Sequence, residues 1–166
     1  MTNVEGLTAV LGQEAEGYRQ LLSIAQRKRQ IIVDRDLEGL EKATDEEQKL
    51  SSHLKSLERQ RVNILKTFTD DATVIPTVTD IVNALEEGSG QRNALQEARD
   101  EVMSVAGQMQ FMNTQNQVLL QQALEMIDFD LTLFKSLRQA PESGNYGRDA
   151  YNTGDILPMG GFDAKQ

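Results

Sequence analysis

Residues 95–137, LQEARDEVMSVAGQMQFMNTQNQVLLQQALEMIDFDLTLFKSL, decide the fold. At coiled-coil spacing they read Leu95, Ala98, Val102, Val105, Met109, Met112, Asn116, Leu119, Ala123, Met126, Asp130, Leu133 and Leu137. One long helix needs such a seam to pack on others. Beyond Val118 a second apolar line joins it: Leu120, Leu124, Ile127, Leu131 and Phe134. A helix in a simple hairpin needs only the first line. The second either meets another helix of the chain or awaits a partner.

Working outward, the segment before this helix is EEGSGQRN, which supplies a turn at Gly88 and Gly90. Upstream of that, Pro76 is excluded from a helix interior. Thr77 or Thr79 can cap a short helix with Val78, Ile81, Val82 and Leu85 on its apolar face. Two further long periodic segments precede it. The first carries Val4, Leu7, Leu11, Tyr18, Leu21, Leu22, Ala25 and Ile32. Glu14 and Lys28 interrupt it, long side chains able to lie along a groove with their heads in water. The second carries Leu50, Leu54, Leu57, Ile64 and Phe68. Asp34 or Asp36 can cap a short turn containing Leu37 and Leu40. Thr44 and Glu47 form a capping box that places the start of the second long helix at Asp45.

The expected architecture is all-α. It is an elongated bundle of three long antiparallel, coiled-coil-like helices over about 4–33, 45–69 and 91–138, with a short helix at about 78–86. The third long helix would extend roughly 70 Å. Residues 1–139 form the helical domain. Residues 140–166, rich in Gly, Asn, Asp and Pro, read as a flexible, disordered tail. That tail carries Tyr146, Tyr151, Ile156, Leu157, Met159 and Phe162, which suit either a short recognition segment or an unselected terminus.

Composition narrows the chemistry. In 166 residues, hydrophobic side chains make up 39% and aromatics only 5%, which suits thin helices rather than a core built on large rings. The net charge of −9 disfavours phosphate backbones and anionic membrane surfaces, so neither nucleic acid nor membrane insertion is expected. No run of about 18 apolar residues occurs. The opening MTNVEGLTAVLGQEAEGY lacks a basic start followed by an apolar run, so no secretory leader is expected and a cytoplasmic location is the default. There is no cysteine, and the single histidine, His53, falls beside the second seam, facing solvent. No Glu-x-x-His pair and no glycine-rich phosphate loop is present. No enzymatic activity, cofactor or metal is expected.

The candidate site lies on the third long helix. Asn113 and Asn116 share a face. Asn116 sits on the seam, where a buried amide either fixes register or hydrogen-bonds a partner's backbone. From Leu119 and Leu120 to Phe134 the helix is apolar over more than half its circumference. Such a patch marks an interaction site once it exceeds a few hundred Å². Met103, Met109, Met112 and Met126 add thioethers, which fill gaps in a seam or adapt to several partners.

Three stretches carry a family resemblance. TDEEQKLSSHLKSLERQR from Thr44 to Arg61, NTQNQVLLQQAL from Asn113 to Leu124, and AYNTGDI in the tail resemble the FlgN family of flagellar type III export chaperones. The likeness covers essentially the whole chain. It implies a cytoplasmic chaperone that keeps hook-associated (hook–filament junction) proteins unpolymerised and delivers them to the export gate. The cargo's terminal segment would fold as an amphipathic helix on Asn113, Asn116, Leu120, Leu124, Ile127, Leu131 and Phe134. The tail's Tyr151 and Gly154 would contact the cytoplasmic domain of the export-gate membrane protein, with Tyr146-Gly147 competing for that role. The residues also leave open a self-associating coiled-coil scaffold, hence a homodimer, and a regulator that sequesters another helical protein.

Overall fold

The computed structural model describes residues 2–139. Among them are four helices and no strand: α1 Asn3–Val33, α2 Leu37–Lys66, α3 Val78–Ala84 and α4 Gly90–Gln139. The chain divides into two compact units, Met1–Ala123 and Leu124–Gln166. The first holds α1 to α3 and most of α4.

Each helix starts on a side-chain cap. Thr2 opens α1 with a reciprocal box. The Glu5 amide donates to Thr2 Oγ1 at 3.2 Å, and the Thr2 amide donates to Glu5 Oε2 at 2.9 Å. α1 ends at Asp34. Arg35 takes a left-handed φ of 54°, and Asp36 then caps α2 by accepting from the Gly39 amide at 2.9 Å. Glycine at 39 has a reason, because a Cβ there would lie 2.3 Å from Asp36 Oδ2. A second box, Thr77 with Asp80, opens α3.

The start of α2 corrects the sequence expectation. The helix begins at Leu37, eight residues before Asp45. The Thr44–Glu47 box is not formed. Thr44 lies inside the helix and donates its hydroxyl to the Leu40 carbonyl at 2.8 Å. Ala43 is buried, so this turn is packed rather than free to unwind. The acids are used between helices: Glu46 accepts from Arg27 at 2.6 Å and Glu47 from Lys28 at 2.9 Å. α2 also stops at Lys66, short of 69, where Thr67 donates to the Ile64 carbonyl and accepts from Asn3 Nδ2. α3 ends at Ala84, two residues early, because Leu85 turns extended.

Contacts within the first unit fix the helix directions. Asn3 meets Thr67, Glu14 meets Arg61 and Lys28 meets Glu47, so α1 and α2 run in opposite senses. α4 runs with α1: Gln91 bonds Thr2, Glu101 pairs with Arg19, and Asn116 bonds Ala25. One apolar cluster joins all four helices, built on Val4, Leu7, Leu65, Ile81, Val82 and Leu95. α3 thereby commits its apolar face to this end of the bundle. A second cluster, Leu21, Leu54 and Leu57, takes in Tyr18, Leu50 and Met109. At the α1–α2 crossing a Cβ on Gly17 would sit 2.7 Å from Leu54 Cδ2, so the backbone approaches as only glycine permits.

Glu14 departs from its expected place. Its head is not in water; the residue is 3% exposed. Arg61 Nε donates to Oε1 at 3.1 Å, while Oε2 is buried without a hydrogen-bond partner. Burial raises the carboxyl's pKa above its ordinary 4.5. Arg61 opposes the rise and Glu58 adds to it. Tyr18 alongside is raised too, first by burial and then by Glu14.

This packing is testable at three positions. Gly12 has open space where its Cβ would be, so Gly12→Ala should stabilise the chain by about 1 kcal/mol in urea unfolding. Gly17→Ala should gain nothing or lose stability, because Leu54 must move. The raised Glu14 pKa means the folded state holds the proton more tightly than the unfolded chain does. That contribution is full below the unfolded value and fades as pH rises through the folded one. The stability of the native chain relative to Glu14→Gln should therefore be greatest below the unfolded carboxyl's ordinary pKa and fall as pH rises through the folded one, as read by thermal melts at each pH.

Candidate functional site

α4 is built from a seam that the first unit covers only in part. Leu95, Val105 and Asn116 are buried, and Ala98, Val102, Met109, Met112, Leu119 and Ala123 are half-buried. To Ala123, then, the seam packs as the periodicity predicts. Its remaining members do not: Met126, Asp130, Leu133 and Leu137 are exposed. Chain length gives the reason. Asn116 lies opposite Ala25, and α1 has eight residues left beyond Ala25. Counting the same distance along α4 reaches Leu124, where the first unit has ended.

The second unit, as far as it is described, is a helix exposed at every position from Leu124 to Arg138. Its apolar side chains are large. Leu124 and Leu131 are each 50% exposed, Ile127 40% and Phe134 58%. These four fall at helical spacing of three and four residues, along one face. Met126, Leu133 and Leu137 form a neighbouring line, and Phe129 extends the apolar arc further. At about 100° per residue these side chains sweep about 220° of the helix. Glu125, Asp128, Thr132, Lys135 and Ser136 occupy the remaining arc, and only Asp130 and Arg138 interrupt the apolar one. Two local contacts stiffen the surface. Thr132 donates to the Asp128 carbonyl at 2.9 Å, and the Arg138 guanidinium stands 5.6 Å from the centre of the Phe134 ring.

The predicted site residues separate into two groups. Asn113, Asn116 and Leu120 belong to the first unit, and Leu124, Ile127, Leu131 and Phe134 to the second. Asn116 is buried at 6% exposure, and its Nδ2 donates to the Ala25 carbonyl at 2.7 Å. Its Oδ1 is buried without a partner. The amide is thus engaged with α1, the arrangement expected of a register-fixing residue. Asn113 is half-buried and donates to Met109 Sδ at 3.0 Å; Leu120 is half-buried. Tyr151 and Gly154 lie outside the described residues, as does the whole 140–166 segment.

Sequence reasoning missed Phe129, and it assigned Met126, Leu133 and Leu137 to bundle packing. The missing signal was a comparison of lengths. The apolar seam of the last helix outruns the two helices that could cover it. Among the described residues no three His, Asp or Glu side chains gather as metal ligands, and His53 is exposed. Among the described residues no helix is long and apolar enough to cross a membrane.

A protein-family model described as FlgN protein matches residues 1–154. No curated protein and no solved structure matches the chain.

The burial of Asn116 yields a stability prediction. Asn116→Asp places a carboxylate against the Ala25 carbonyl oxygen in a buried site. It should cost on the order of 3 kcal/mol in urea unfolding at neutral pH, and less where the new carboxyl is protonated.

Proposed function

The chain belongs to the FlgN family of flagellar export chaperones, and from that membership we propose that it binds hook-associated flagellar proteins. It holds them unassembled and delivers them to the type III export gate. The observation that carries the reading is the exposed helix from Leu124 to Arg138, apolar over more than half its surface. Left bare, such area favours association. An amphipathic cargo helix laid along it is the simplest complement. Leu124, Ile127, Leu131 and Phe134 form the apolar acceptor. Within the first unit, Asn116 holds α4 in register on α1. In this reading α1, α2 and α4 are the three long helices of the bundle, alternating in direction. The Asn3–Thr67, Lys28–Glu47 and Asn116–Ala25 bonds support it.

The energetics suit delivery. Burying about 1,000 Å² can support a specific complex. Ordering a disordered cargo segment costs about 2–5 kcal/mol, which keeps the complex reversible. Work of this kind is done in the cytoplasm, before export. By the family resemblance, Tyr151 and Gly154 in the tail make the gate contact. The apolar helix equally suits a second copy of the chain, and the same test separates the two.

The test is affinity for purified C-terminal segments of hook-associated proteins, with sedimentation equilibrium of the chain alone. Leu131→Asp and Phe134→Asp should each weaken cargo binding about tenfold or more. Both positions are exposed, so chain stability should stay within about 0.5 kcal/mol. Unchanged cargo affinity would sink the acceptor assignment. A dimer that dissociates on Leu131→Asp, together with no cargo binding, would establish the scaffold instead.

A further inference from the structure

Charge is segregated in this acidic chain. Between Gln48 and Lys66, the second half of α2, there are five Lys or Arg residues and one acid, Glu58. Elsewhere acids dominate enough to bring the whole to −9. The cations of this half-helix also differ in how they are used. Arg61 turns inward to Glu14. Lys49, Lys55, Arg59 and Lys66 are all exposed, and among the described residues none of them pairs with a carboxylate within 4.0 Å. Several cations elsewhere in the first unit do pair, although exposed Arg29 does not and Arg92 bonds the Leu85 carbonyl instead. Arg19 is held by Glu16 and Glu101, Arg27 by Glu46, Lys42 by Glu38 and Arg99 by Asp100.

The four cations share one side of the helix. At about 100° per residue they fall opposite Leu54, Leu57 and Leu65, the residues that bury α2 against the bundle. Lys49 lies on one flank; Lys55, Arg59 and Lys66 lie on the other. Between them Ser52 and Ser56 present short, exposed side chains. The face is therefore a low strip bordered by positive charge, about 25 Å long from Lys49 to Lys66.

We propose that this face of α2 is a docking surface for an acidic helical segment of a protein partner, separate from the cargo helix. Charge complementarity names the occupant. Carboxylates repeating every three or four residues along a partner helix would match the cations over the length of the strip. Side-chain charges are screened over about 8 Å at physiological salt, so a discrete acidic helix feels the strip rather than the whole molecule. A long polyphosphate or a membrane surface extends beyond the strip and meets the acidic remainder. The proposal concerns a different helix from the cargo reading and does not depend on it. Such a surface would let an acidic component hold the chaperone whether or not cargo is bound.

The test uses the full chain and a labelled helical peptide about 20 residues long with Glu at every third or fourth position. Binding is followed by fluorescence anisotropy at about 50 mM and about 300 mM salt. The native chain should bind, more weakly at the higher salt. The variant Lys49→Gln/Lys55→Gln/Arg59→Gln/Lys66→Gln should bind about tenfold more weakly or worse, with its helical circular dichroism unchanged. A control with the same change in net charge, Arg19→Gln/Arg27→Gln/Lys42→Gln/Arg99→Gln, should keep most of the affinity. Should the fourfold variant lose helicity, Lys49→Gln/Arg59→Gln alone should still show a several-fold loss. Absence of peptide binding, or equal loss in the control, overturns the proposal. So does tighter binding to a single-stranded oligonucleotide of about 20 nucleotides, or to phosphatidylcholine vesicles with about one-third phosphatidylglycerol, lost in the same variant.

Discussion

A helical hairpin can cover a third helix only for its own length, and this constraint organises the molecule. α1 has 31 residues and α2 has 30, which gives about 46 Å of helix each. α4 has 50, or about 75 Å. Its apolar pattern continues past what the hairpin can bury. In an ordinary bundle the surplus would be polar or absent. Here it becomes more apolar, adding a second line where the first loses its cover. Large hydrophobic residues therefore stand where, among the described residues, they stay exposed.

The polar residues inside the first unit do a complementary job. A uniform leucine seam permits neighbouring registers of similar energy. Nδ2 of Asn116 reaches the Ala25 carbonyl while Oδ1 stays buried without a partner, and a slipped register would bury the whole amide unpaired. Glu14 and Arg61 tie α1 to α2 in the same manner, at the cost of a buried carboxylate oxygen without a partner. Gly17 against Leu54 adds a steric constraint at the same crossing. Polar pairing and close approach thus define which residues meet, while the leucines supply most of the burial energy. Fixing α4 in register also fixes which of its residues are left uncovered.

Much of this is legible from residue order, with failures that have specific causes. The four helices, the seam as far as Ala123 and the exposure of His53 follow from periodicity and caps. The start of α2 did not, because two good cap signals stand eight residues apart. Asp36 follows the left-handed turn at Arg35, and packing of Ala43 makes the intervening turns worth forming. The Thr44–Glu47 signal was then redundant. Glu14 was misplaced because a long side chain on a seam can reach water or be overlain, and only the neighbouring helix decides. For the candidate site, heptad spacing identified the residues but not their fate. Periodicity tells which face a residue occupies and says nothing of whether another helix is long enough to meet it. Met126, Leu133 and Leu137 look the same in sequence as Val105.

The exposed stretch of α4 gains from being the continuation of a packed one. An isolated helix of about 15 residues is marginal in water, because the first turn must be ordered before any bond repays it. The residues from Leu124 onward extend a helix whose earlier turns are already held by tertiary contacts. They need propagation and no new nucleus. The exposed helix is therefore formed in the chain alone, and in the proposed reading the ordering cost falls on the incoming segment. Under the proposed reading, a guest would be recognised by helical pattern, since only a segment able to place apolar residues every three or four positions could cover Leu124, Ile127, Leu131 and Phe134 together.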